Sequence, residues 1–162
     1  MKNLFLTIAI VAFGFVANAQ DGQFNVGANI GLPIGDSSDG SSFVIGAEAN
    51  YLFDLSDEFK VGPSVGYSHF IGKTVNGVDI PSSSFLPLAA AARYSVSEAF
   101  VLGADLGYGL GLSPDGNDGG FYYRPMVGYN VSDMIMVQLT YSGVSVNGGT
   151  ASNVGLGAMF SL

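Results

Sequence analysis

The chain contains no cysteine, no tryptophan and one histidine, and only five of its 162 residues are Lys or Arg. Without cysteine there is neither a disulfide framework nor a thiolate metal site. Five bases against 13 acids leave a net charge of −8, which excludes the basic footprint that nucleic-acid binding requires. Charged residues are only 11% of the chain and hydrophobic residues 48%, the reverse of a disordered composition. Long apolar runs are also scarce. The only one extends from Leu4 to Val16, interrupted by Thr7 and Gly14. At about thirteen residues it is too short for a spanning helix, which needs roughly 20.

That run follows Lys2 and precedes Ala17-Asn18-Ala19. A basic start, a short apolar stretch and an A-x-A site make a secretory signal peptide. The expected organisation is a leader over 1–19, cleaved after Ala19, and one domain over 20–162. Loss of Lys2 would bring the exported chain to −9.

Beyond the leader the chain alternates, with a two-residue period, over eight segments. One face holds Phe24, Val26, Ala28, Ile30 and Leu32, then Phe43, Ile45, Ala47, Ala49, Tyr51 and Phe53, and continues in the same way to Val154, Leu156, Ala158 and Phe160. The other face is glycine-rich and carries the charges Glu48, Lys60, Arg93, Asp105 and Arg124. The segment around Ala89–Ala92 would also suit a helix by propensity. Its flanking prolines and the parity of its neighbours favour a strand.

The two faces decide the environment. A soluble sandwich turns its apolar face inward and a charged face to water. Here the non-apolar face carries glycine at 27, 31, 46, 62, 66, 103, 107, 109, 111, 128, 155 and 157, a poor solvated surface. The opposite orientation explains more: apolar side chains meet lipid, and glycine lines the narrow interior of a closed barrel. In lipid every backbone group must pair internally, so a sheet can span only if it closes. The expected fold is all-β, an eight-stranded antiparallel up-and-down transmembrane β-barrel.

Aromatic residues at the strand ends support this. Phe24, Phe53, Phe59, Tyr94, Phe100, Tyr129 and Phe160 form one belt; Phe43, Tyr67, Tyr108, Phe121, Tyr123 and Tyr141 form the other. Such belts mark the two membrane interfaces. Three turns share a pattern: Phe53-Asp-Leu-Ser-Asp-Glu-Phe59, Tyr94-Ser-Val-Ser-Glu-Ala-Phe100 and Tyr129-Asn-Val-Ser-Asp-Met-Ile135. They alternate with longer Gly/Ser/Asp/Asn-rich connections expected over 35–42, 72–82, 112–120 and 143–150. Short turns on one side and long loops on the other match an outer-membrane barrel.

Leader, alternation, belts and loop asymmetry together make the chain resemble the small eight-stranded outer-membrane barrels. This is the porin-like outer membrane protein beta-barrel domain family, similar in shape to OmpA and OmpX. The resemblance covers about 21–162. It implies residence in the cell outer membrane, contact with outer-membrane lipid, and insertion by the barrel-assembly machinery. Members usually end in an outward aromatic residue; here Phe160 is followed by Ser161 and Leu162.

Chemistry is sparse. No His, Cys or acid cluster has metal-ligand spacing, and no cofactor motif is present. The glycines at 103, 107, 109 and 111 lack the Lys-Ser/Thr and the helix of a phosphate loop. His69 falls on the lipid-facing parity near the long loops, whereas its neighbour Ser68 faces inward, so adjacency does not make a nucleophile–base pair. The acids at 36, 39, 79, 115 and 118 belong to the long loops and are read as solvated ends.

One constellation stands out: Glu48, Lys60, Arg93, Asp105 and Arg124 share the interior. Isolated buried charge is costly, so these groups are expected to pair as a polar plug. Glu48 and Asp105 would lie near mid-height, bridged by the arginines, with Lys60 nearer the short turns. The expected role is a monomeric, non-enzymatic barrel that is structural or interacts through its surface loops. Three alternatives stay open: a narrow porin for small solutes, a lipid-modifying enzyme, and a soluble lipocalin-like barrel.

Overall fold

The computed structural model describes residues 22–146 and 148–162. The expected leader and its cleavage site lie outside them. Eight long strands are present: β1 (Gly22–Ile34), β2 (Ser41–Asp54), β3 (Phe59–Gly72), β6 (Ser83–Ser95), β7 (Phe100–Ser113), β8 (Gly120–Ser132), β9 (Ile135–Val146) and β10 (Gly149–Ser161). Between β3 and β6 a small hairpin is made of β4 (Thr74–Val75) and β5 (Val78–Asp79); a single helical turn, α1 (Ser37–Gly40), follows β1. The eight long strands pair antiparallel in sequence order and close through β1 and β10. The all-β, eight-stranded antiparallel barrel is therefore the fold. The Ala89–Ala92 run lies within β6, paired on both sides, because neighbouring strands supply the hydrogen bonds that propensity alone would assign to a helix.

Orientation follows from adjacent residues on β7: Asp105 is 1% exposed and Leu106 is 55% exposed. The same alternation leaves Ile30, Leu139 and Leu156 outward and buries Glu48, Gln138 and Arg124. The outer wall is thus a continuous apolar surface, far larger than the patches soluble monomers tolerate. The soluble-barrel alternative is overturned by this inversion.

The belts lie where the parity puts them, with one exception. Phe24, Phe59, Tyr94, Phe100, Tyr129 and Phe160 stand exposed on the short-turn side. Phe53 is covered instead, because the ring of Tyr51 meets it edge-on at 4.9 Å.

The shared turn pattern has a local cause. The hydroxyl of Ser56 accepts the N–H of Phe59 (3.1 Å), and that of Ser97 accepts the N–H of Phe100 (3.1 Å). In the third turn the Ser132 hydroxyl accepts from Met134 (3.4 Å), next to a register shift in β8–β9. Each serine accepts a backbone N–H at its reversal, which is four residues long at 55–58 and 96–99 and two at 133–134.

The long-loop side is shorter than its composition indicates. The loop expected over 143–150 contracts to the link between Val146 and Gly149, which pair with each other. Glycine and serine there read as loop, but antiparallel pairing across Ser142–Asn153 and its neighbours continues to the hairpin end. The remaining connections fold onto the barrel mouth. The Lys73 ammonium donates to the Ser38 carbonyl (2.6 Å), and the Ser37 hydroxyl donates to the Thr150 carbonyl (3.2 Å).

Candidate functional site

The interior is organised in layers. The middle layer is ionic. Register sets Asp105 of β7 directly opposite Arg124 of β8 and Arg93 of β6 beside Gly103. Arg124 donates to Asp105 through Nε (3.1 Å) and Nη2 (2.6 Å), and Nη2 also reaches Glu48 across the lumen. Arg93 donates from Nη1 to the other oxygen of Asp105 at 2.6 Å. Gln138 donates from Nε2 to the second oxygen of Glu48. All five side chains are buried. Two guanidinium groups and two carboxylates balance to zero charge. Such a cluster is tolerable in a low-dielectric interior because every charge meets an opposite one with charge-assisted hydrogen bonds.

Lys60 does not join this cluster. It faces Asp54 at the short-turn rim, with N···O 3.0 Å and both side chains partly exposed. Glu48 is opposite Gly66, six residues along β3 from Lys60. At about 3.3 Å per residue, that is roughly 20 Å of strand, beyond a lysine's reach. Of the five interior charges, the structure brings Glu48, Arg93, Asp105 and Arg124 together and leaves Lys60 apart.

Toward the long loops an apolar layer covers the ionic one. Val44, Phe70, Phe85, Tyr122 and Val144 form a buried cluster inside the barrel, with Phe70 and Phe85 in edge-to-face contact at 5.9 Å. The reading of the inner face as glycine and charge is corrected at this level. At these places both parities are apolar, as in Phe43-Val44-Ile45 and Phe121-Tyr122-Tyr123, so alternation alone gives no direction. Room comes from β7, where Gly107 lies opposite Tyr122 and Gly111 opposite Phe85.

Toward the short turns the filling changes again. Asn25 donates to Asn50 (2.9 Å) and accepts from the Ser161 hydroxyl (2.7 Å), which ties β1, β2 and β10 across the closing seam. Met126, Met159 and their neighbours occupy the space that glycine leaves. A Cβ on Gly103 would lie 2.6 Å from Arg93 Cδ and 2.7 Å from Met126 Sδ. Lumen glycine therefore makes room for larger side chains on adjacent strands. The void beside Asn29, Glu48, Ser64, Tyr122 and Arg124 is about 10 Å³, space for one water at most.

Outside the barrel, one polar group was missed by adjacency. His69 Nδ1 lies 2.8 Å from the Ser84 hydroxyl, and the Tyr67 hydroxyl donates to the same oxygen at 3.3 Å. His69 and Ser84 are opposed across β3–β6. Ser68, its sequence neighbour, is irrelevant to it. The signal was available only once the strand register was known.

A closed eight-stranded barrel with an apolar exterior, aromatic belts and a polar interior is one of two architectures that can satisfy its backbone in lipid. The sequence matches the family model described as outer membrane protein beta-barrel domain over residues 5–161. The chain belongs to that family. It resides in the outer membrane. No curated protein matches it in sequence. Among solved structures it is similar to the Yersinia pestis outer membrane protein Ail in a phospholipid nanodisc, with 14% identity, a TM-score of 0.62, and coverage of 88% of this chain and 100% of Ail. Ail in complex with the heparin analogue sucrose octasulfate gives 16% identity and a TM-score of 0.60, covering 87% and 97%. Neisserial surface protein A gives 17% identity and a TM-score of 0.58, covering 88% and 100%. At these identities the likeness is one of fold.

Proposed function

We propose that this protein is a sealed, monomeric outer-membrane barrel without catalytic activity, which acts as a structural element and through its surface loops. The leader over 1–19 exports it, and the barrel-assembly machinery inserts it. The observation that carries the reading is the filling of the lumen: one guanidinium, Arg124, spans from Asp105 to Glu48, under an apolar lid of Phe70, Phe85 and Tyr122. A continuous aqueous path needs space that these side chains occupy.

The similar protein Ail has been seen with a sulfated sugar, but the rim of this chain favours a different partner. Its long-loop side carries Asp36, Asp39, Asp79, Asp115 and Asp118 against Lys73 alone. That single ammonium is already held by the Ser38 carbonyl. A polyanion would meet repulsion there.

Planar-bilayer recording of the purified barrel tests the sealed lumen. The expected result is a bilayer that stays silent after insertion. Reproducible single-channel steps would replace this reading with the narrow porin. Mass spectra of lipid A from cells with and without the protein should coincide; a change in acylation would favour an enzyme.

A further inference from the structure

His69 is the single histidine of the chain, and it lies on the face that meets lipid. Ser84 opposes it on the β6 side, and its surroundings on the β2 side are apolar. Across the β2–β3 pairing it opposes Ile45, which is exposed. Two residues farther toward the loops Ile71 is exposed on the same face, opposite Phe43. The imidazole is therefore at the membrane interface, between the belt positions of Tyr67 and Phe43. At that level a polar side chain meets the ester and headgroup region of the lipid.

One ring nitrogen is satisfied within the protein. The Tyr67 ring stacks nearly parallel on the imidazole, 7° between planes, and its hydroxyl donates to Ser84 Oγ at 3.3 Å. Ser84 Oγ accepts from Tyr67 and keeps a proton of its own, and His69 Nδ1 lies 2.8 Å away, within reach of that proton. An imidazole whose Nδ1 accepts carries its hydrogen on Nε2. Among the described residues no protein acceptor meets Nε2; the one hydrogen bond of the ring is to Ser84.

We propose that Tyr67, Ser84 and His69 form a lipid-recognition site in which His69 Nε2–H donates to the acyl ester carbonyl of a lipid in the leaflet on the long-loop side. The carbonyl is chosen over the phosphate for two reasons. Apolar Ile71 separates His69 from the rim, and the rim itself is acidic, which disfavours a bound anion. In this arrangement Ser84 donates to Nδ1, and the hydrogen of the ring is carried on Nε2. The site rests on the membrane residence of the barrel and not on whether its lumen conducts.

Because there is one histidine, its ring nitrogens can be read without overlap. The test is nitrogen NMR of histidine-labelled protein in nanodiscs of diester phosphatidylcholine and of the matching diether lipid, which keeps the phosphate and lacks the carbonyls. The expected result is the Nε2–H form in diester lipid and a shift of the Nε2 resonance in diether lipid. In Ser84→Ala the ring should divide between both tautomers. Identical Nε2 resonances in the two lipids, or an Nδ1–H form in the unaltered chain, would overturn the proposal. An unchanged tautomer in a Ser84→Ala barrel that still shows heat-modifiable migration would do so as well. Should that variant fail to fold, the diester–diether comparison on the unaltered chain decides by itself.

Discussion

Arg124 and Asp105 oppose each other across the β7–β8 pairing, and the carboxylate takes two nitrogens of the guanidinium, Nε at 3.1 Å and Nη2 at 2.6 Å. The same guanidinium reaches Glu48 on the far side of the lumen, so one side chain joins carboxylates from two walls.

Arg124→Ala should therefore leave Glu48 without a cation, with Gln138 as its donor, and Asp105 with Arg93 alone. Breaking a buried pair by removing one partner costs about 3–5 kcal/mol. Urea unfolding in lipid vesicles, or the temperature of the gel-migration shift, should register that loss. An unchanged transition would mean that the cluster does not hold the barrel together.

Lys60→Ala should do far less. Its partner Asp54 is 41% exposed, and partly exposed pairs contribute roughly 0–1 kcal/mol. The same unfolding measurement should place Lys60→Ala close to the unaltered protein and well apart from Arg93→Ala. Equal losses would indicate that Lys60 takes part in the interior cluster after all.

The two interior layers should seal independently. Phe85→Ala, in contact with Phe70, should lower stability by about 3–5 kcal/mol through the cavity it leaves. It should not open a channel while Arg124 still spans the lumen. Only the combination Phe85→Ala with Arg124→Ala is expected to raise bilayer conductance. Conductance from Phe85→Ala alone would show that the ionic layer is leaky.

Gly103→Ala tests whether lumen glycine is filled space. The added carbon would meet Arg93 Cδ and Met126 Sδ, costing about 1–3 kcal/mol by overpacking. Trimming Met126→Ala in that background should restore part of the loss. A neutral Gly103→Ala would mean that the lumen has slack.

Calorimetric titration with sucrose octasulfate at low salt should give no binding heat, because Lys73 is the lone base among the long-loop charges. Saturable binding would remove the electrostatic argument about the outer rim.

Much is legible in the sequence, because side-chain direction in a strand alternates with period two and needs no knowledge of neighbours. Eight segments, the outward face of Ile30 and Leu106, the inward face of Asp105, and the serine turns at 56, 97 and 132 all follow from residues close together in the chain. Where both parities are apolar, at Val44, Phe70 and Phe85, that local rule has no contrast to read, and the apolar lid went unplaced.

From sequence alone came the closed membrane barrel and which charges share its interior. Only the tertiary structure decided which of them touch. Glu48 meets Arg124 at a separation of 76 residues, and His69 finds Ser84 rather than Ser68. Those meetings depend on strand register and on the closure of β1 against β10, which are set by the packing of the whole cylinder and have no local pattern to announce them.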